Sequence, residues 1–252
     1  MSDETLRYEE KGGVAVITLL RAVENLDAMA QLSAEISECC QRFGTNGETR
    51  VLVVTGERAD AFSMEKAMRD MGKGRAEFIS IAEPIAALER PVLAGIPGDA
   101  RGPGLELALA CDVRIAAEGA RFALPHVKAG VMPWDGGTQR LLRTVGKGKT
   151  LEMILTGESI DAQEANRIGL VSRCVPAAEV ITTVMKMAQE MAAKSPISLD
   201  YCKEAINKGM DLTLQQGLRL EADLYYLMHT TRDREEGIKA FKEKRKPEFK
   251  GI

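Results

Sequence analysis

The run Gly102-Pro103-Gly104-Leu105-Glu106-Leu107-Ala108-Leu109-Ala110-Cys111-Asp112 sets one carboxylate, Glu106, inside an otherwise apolar stretch that ends at Asp112. Glycines beside an apolar run let the backbone turn sharply and come close to a ligand. Leu105–Cys111 then reads as a buried helix whose first turn points free N–H groups and a positive dipole end at that ligand. Glu106 falls in this first turn. A carboxylate there is either a partner of the helix dipole or a proton-transfer group, and spacing alone leaves both readings open.

The elements that must position this turn are legible around it. Val14–Leu20, Val51–Thr55, Val92–Ile96 and Val113–Ala117 are short aliphatic runs suited to buried strands. Leu26, Met29, Leu32, Ile36, Cys39 and Phe43 recur at three- and four-residue steps, which predicts one apolar helix face. Asp161-Ala162-Gln163-Glu164 resembles a capping box before a helix ending near Gly169. From about Val180 strand signals vanish, and Ile181–Ala193, Ile197–Lys208 and Leu214–Leu227 read as helices, followed by a charged helical end to Lys246. Alternation followed by a run of helices predicts an α/β core with an appended helical subdomain.

Composition narrows the function classes. A chain of 252 residues, 45% hydrophobic, buries a sizeable core. The net charge of −3 gives no electrostatic case for nucleic acid. The acidic, polar start Met1-Ser2-Asp3-Glu4-Thr5 does not read as a targeting peptide, and Val14–Leu20 is too short to span a bilayer. Five cysteines without Cys-x-x-Cys spacing read as reduced thiols of a cytoplasmic protein rather than a metal site.

The glycine-turn segment resembles the signature of the crotonase (enoyl-CoA hydratase/isomerase) superfamily. The similarity continues through Arg114-Ile115-Ala116-Ala117, Ala120–Pro125, Gly136-Gly137-Thr138-Gln139-Arg140-Leu141, Leu155-Thr156-Gly157, Ala162–Ala165, Gly169-Leu170-Val171 and Glu236–Pro247. It covers essentially the whole chain in family order. The resemblance implies a ββα spiral core over 1–192 and a C-terminal helical region over 193–252 that builds a homotrimer or hexamer.

It also implies an oxyanion hole in which two backbone N–H groups hold a thioester carbonyl while acid/base side chains move protons at Cα and Cβ. Ala61-Phe62-Ser63-Met64-Glu65-Lys66-Ala67 matches the family's A-F-[SA]-A-G-x-D pattern, with the first donor expected at Met64 and Ala61, Ser63, Glu65, Lys66 and Ala67 around the CoA moiety. The second donor position aligns with Pro103, which has no N–H, so either Gly104 supplies the bond from a shifted turn or one protein donor serves alone. Glu106 matches the first family glutamate. The second is replaced by His126 in Phe122-Ala123-Leu124-Pro125-His126. A histidine there is a proton carrier, a neutral hydrogen-bond donor or a packed residue. Asp135, in Pro133-Trp134-Asp135-Gly136-Gly137, resembles the aspartate of dienoyl-CoA isomerases, yet an Asp before two glycines is also a common turn and cap residue. Facing the acyl group, it would form a carboxylate pair with Glu106. Trp134 either walls the acyl pocket or packs in the core. Lys244 in the basic ending is expected near the CoA phosphates.

The function these features imply is hydration or dehydration of a conjugated acyl-CoA, cyclic or dienoyl chains included. No metal or cofactor beyond the substrate's own CoA is expected, and no nucleic-acid or membrane partner. The alternatives are a double-bond isomerase, a decarboxylase or a hydrolase, and, outside catalysis, an acyl-CoA- or RNA-binding relative.

Overall fold

The computed structural model describes residues 5–71 and 78–252. The four aliphatic runs form the centre of a six-stranded sheet as β2 (Val14–Leu19), β3 (Val51–Gly56), β4 (Val92–Ile96) and β6 (Val113–Ala117), all parallel. Strands buried on both faces read as continuous apolar runs, which is why these four are visible in the sequence. β1 (Leu6–Lys11) closes one edge antiparallel to β2, and β9 (Arg173–Val175) closes the other parallel to β6. β1 carries no apolar run: its Leu-Arg-Tyr-Glu-Glu-Lys puts charge on an edge, where only one side of the strand is paired.

Period-two alternation divides the sheet's side chains between two layers. Leu52 and Val54 face the main core with Met29, Leu32, Ile36 and Phe43 of α1 (Leu26–Thr45). Val51 and Val53 face a second cluster with Leu93, Ile115, Val184 and Ala188, the last two on α8 (Val180–Ala192). Each such side chain, fully buried, contributes about 1.5–3 kcal/mol of transfer free energy. The sheet is therefore a rigid floor held from both sides.

A smaller sheet lies beside it, in the order β5 (Ala100–Arg101), β7 (Arg121–Ala123), β8 (Ile160–Asp161). Between β5 and β6 runs α4 (Pro103–Ala110), every residue of which is buried. The entry to α4 is tied down on both sides: Arg101 N–H donates to Phe62 O at 3.0 Å, and Gly102 N–H to Ala123 O at 3.0 Å. Gly104 presses against the same carbonyl, and a Cβ there would lie 1.8 Å from Phe62 O. That contact demands glycine.

The expected capping box at Asp161 is only half formed. Asp161 accepts the Glu164 N–H at 2.8 Å at the start of α7 (Ala162–Arg167), but Glu164 turns its own carboxylate to Arg167 and Lys149. Two basic neighbours outcompete a single backbone N–H for that charge.

Beyond residue 193 come α9 (Pro196–Gly209), α10 (Leu214–Met228) and α11 (Arg232–Glu243). They bury little: α9 has no buried residue and α10 only Leu224. Lys203 of α9 reaches back to the core, with its ammonium 2.8 Å from the Asp112 carboxylate and 2.9 Å from Arg90 O. Leu214, Leu218, Tyr225, Tyr226 and Phe241 remain exposed. Among the described residues, no helix is long and apolar enough to cross a membrane.

Candidate active site

Glu106 sits in the first turn of α4 with no exposed surface. Its Oε1 accepts the N–H groups of Asp135 and Gly137, each at 2.9 Å. Gly137 opens α5 (Gly137–Val145), and a Cβ on it would fall 2.8 Å from Oε1, so glycine lets this N–H approach. Oε2 is left facing His126, 3.3 Å from its Nε2. His126 lies in the 3-10 turn Pro125–Ala129 and is also fully buried. Glu106 Oε2 and both His126 ring nitrogens lack a hydrogen-bond partner among the described residues. Such groups cost roughly 1–3 kcal/mol each when left unpaired, and they persist mainly where function needs them. Trp134 stands edge-on to the imidazole, with ring centroids 5.2 Å apart, and its indole N–H donates to Ile79 O at 3.1 Å.

Asp135 does not take the place expected of the second carboxylate. Its side chain turns away from Glu106 and accepts the Ser80 hydroxyl together with the N–H groups of Ile81 and Ala82, at 2.7 and 2.8 Å. These donors lie just before the short helix α3 (Glu83–Ala86), whose free N–H groups draw a carboxylate strongly. Only the backbone N–H of Asp135 meets Glu106. The carboxylate pair is absent, and the second titratable side chain beside Glu106 is His126.

Met64, expected as the first oxyanion donor, has its N–H engaged within the protein. Met64 N–H donates to Arg101 O at 3.1 Å, continuing the parallel bridge between Ser63 and Arg101. The free donors of this segment lie one step further on, where α2 (Glu65–Met71) begins and the first-turn N–H groups of Glu65 and Lys66 have no intrahelical acceptor. α2 and α4 start against each other: a Cβ on Gly102 would be 3.3 Å from Glu65 Cα and 3.5 Å from its N. On α4, Pro103 occupies the first position and offers no N–H. The N–H of Gly104, next in line, makes no hydrogen bond among the described residues.

The remaining expected residues fall into two groups. Ala61 and Ala67 are buried in the main core, and Ser63 donates its hydroxyl to Asp99 O at 3.3 Å. Glu65 pairs with Arg101 at 2.7 Å, and the exposed Lys66 with Glu24 at 2.5 Å. Lys244 stands apart, at the left-handed C-terminal end of α11. The sequence reading missed Ser80, Arg140 and Arg101. Cys111 at the far end of α4 is no nucleophile, since burial pushes its thiol up to about 12 and its Sγ faces Leu107 O.

The chain that builds this arrangement, a buried carboxylate at a helix start beside the start of a second helix, matches known proteins along nearly its whole length. The enoyl-CoA hydratase/isomerase family model matches residues 9–252. A 2,3-dehydroadipyl-CoA hydratase of Escherichia coli (strain K12) is 40% identical over 245 residues, covering 94% of this chain and 95% of that protein. A probable enoyl-CoA hydratase of Rhizobium meliloti (strain 1021) is 40% identical over 256 residues, 99% of each. The crystal structure of an enoyl-CoA hydratase from Bacillus anthracis superposes with a TM-score of 0.85 at 33% identity, covering 99% of this chain and 100% of that one. The chain belongs to the enoyl-CoA hydratase/isomerase family of the crotonase superfamily.

Proposed function

We propose that this protein adds water to, and in reverse removes it from, the conjugated double bond of an acyl-CoA thioester. One observation carries the reading: the Glu106 carboxylate is fixed through Oε1 by two N–H groups, which leaves Oε2 free to exchange a proton beside His126. In the addition, water oxygen bonds to Cβ and the Cα=Cβ electrons pass to the thioester as an enolate. Glu106 accepts the water proton and returns a proton to Cα. His126 supplies the second group that a hydration step uses, as hydrogen-bond donor to the attacking or leaving oxygen. The enolate oxygen is received by first-turn N–H groups of α2 and α4, with Gly104 in the role that Pro103 vacates. The reaction needs no cofactor beyond the CoA portion of the substrate. The 2,3-unsaturated thioester in the name of the Escherichia coli relative supports a conjugated acyl group.

A second reading, double-bond isomerisation, is favoured by the engagement of Asp135 with Ser80, Ile81 and Ala82. A single carboxylate suffices to carry a proton between two carbons. A panel of CoA thioesters (crotonyl, 2,3-dehydroadipyl, dienoyl and cyclic enoyl) read by mass spectrometry decides between them. A gain of one water, about 18 mass units, is the expected outcome. Turnover with unchanged mass assigns the isomerase, and no turnover of any member overturns both readings.

The proposal extends to assembly and location. The exposed Leu214, Leu218, Tyr225, Tyr226 and Phe241 support a homotrimer or hexamer built through the C-terminal helices, and the free thiols support a reducing, cytoplasmic setting. Light scattering at micromolar concentration should give three or six chains; a stable monomer overturns the assembly.

A further inference from the structure

We infer that Asp135 is a positioning residue for Glu106, acting through a clamp between residues 79–83 and 134–140. Its two faces do different work. The carboxylate of this buried residue accepts three hydrogen bonds from residues 53 to 55 positions earlier in the chain. The backbone N–H of the same residue donates to Glu106 Oε1. The peptide bearing that N–H lies between anchored groups: Trp134 ties its own side chain to Ile79 O, and Arg140 donates to Asp135 O, on the peptide that follows, at 2.8 Å. The other arm of Arg140 reaches Glu83 at 3.0 Å, and Ser80 Oγ in turn accepts the Glu83 N–H at 3.0 Å.

The physical consequence is a chain of constraint ending at the reacting atom. Three donors converging on one carboxylate fix the direction in which the 134–135 peptide points. That direction sets where Oε1 is held, and Oε1 sets where Oε2 stands relative to His126. Release of the clamp lets the peptide rotate, Oε1 loses a donor, and Oε2 leaves its place. A displacement of about 1 Å at a reacting group costs on the order of 100-fold in rate. The role rests on the proposal that Glu106 carries the proton, but the clamp itself is testable without turnover.

The protein's single tryptophan lies inside the clamp, so its fluorescence reports directly on this loop. Asp135→Ala should red-shift Trp134 emission and raise its quenching by acrylamide. Asp135→Asn should leave both near wild type, because an amide oxygen can take the Ile81 and Ala82 N–H groups while its NH2 meets Ser80 Oγ. With crotonyl-CoA as probe, Asp135→Ala should lose kcat by about 10- to 100-fold with KM changed less than about threefold. Asp135→Asn should recover kcat to within about fivefold of wild type, and Ser80→Ala should fall between the two. If Asp135→Asn loses as much kcat as Glu106→Gln, Asp135 itself moves the proton and the inference is overturned. Unchanged fluorescence in Asp135→Ala overturns it as well, whatever the activity. An active Glu106→Gln protein, by contrast, would overturn the assignment of Glu106 while the fluorescence still judged the clamp.

Discussion

On the side proposed to move the proton, the groups that orient Glu106 are backbone N–H donors of residues 135 and 137, and Asp135 is itself anchored by Ser80, Ile81 and Ala82. On the side proposed to receive the thioester carbonyl, Pro103 lacks a donor, Met64 has given its N–H to Arg101, and a half-buried Glu65–Arg101 pair stands where α2 begins. One side is over-determined and the other depends on whichever first-turn N–H groups remain. Orienting the carboxylate and offering the remaining N–H groups thus fall to separate segments of the chain, residues 79–83 with 134–140 on one side and the starts of α2 and α4 on the other.

The largest expected effect falls on the over-determined side. Glu106→Gln keeps shape and both accepted hydrogen bonds on its oxygen but cannot take a proton. Turnover of the thioester identified by the panel should fall by roughly two to four orders of magnitude. Wild-type turnover in this variant would remove Glu106 from the mechanism.

Pro103→Gly addresses the other side. A missing oxyanion donor costs about 3 kcal/mol, or about two orders of magnitude in rate. Where Gly104 fills that role only in part, restoring an N–H at 103 should raise crotonyl-CoA hydration, by up to about 100-fold. A wild-type protein already as fast as the variant would show that Gly104 fills the role completely, and the proline would be a helix-start preference only.

The smallest effect is expected at the rim. Glu65 and Arg101 are 40% and 27% exposed, and pairs of this kind contribute at most about 1 kcal/mol. Arg101→Met should change kcat/KM less than about fivefold at physiological salt. A larger loss would mean that the Arg101 charge is used on the substrate, and the contrast between the two sides would narrow.

How far the sequence foretold this site depends on the range of the interactions involved. The position of Glu106 in the first turn of a buried helix was legible locally, and its expected role only through the family resemblance. His126 was legible as a substitution within a family motif, and β2, β3, β4 and β6 as short, mostly aliphatic runs, β6 carrying Arg114 within it. The orientation of Asp135 was not, because its three partners lie more than fifty positions away and a turn aspartate before two glycines looks alike whichever way its side chain points. The same holds for Met64, whose N–H is committed by Arg101, across a bridge of single residues. β5, β7 and β8 span two or three residues each and exist only through their pairing, so no local periodicity announces them.

The contact of Gly104 with Phe62 O bears on how this enzyme could be changed in the laboratory. Two main chains meet there with no room for a Cβ, so the spacing between the carbonyl-receiving segments is set by backbone alone. Substituting the surrounding side chains leaves that spacing intact, and the reaction centre is insulated from most of a randomised library. Position 104 itself should reject every alternative residue, alanine included. Changes along the rim, away from the clamp that holds Trp134, leave that spacing as it is.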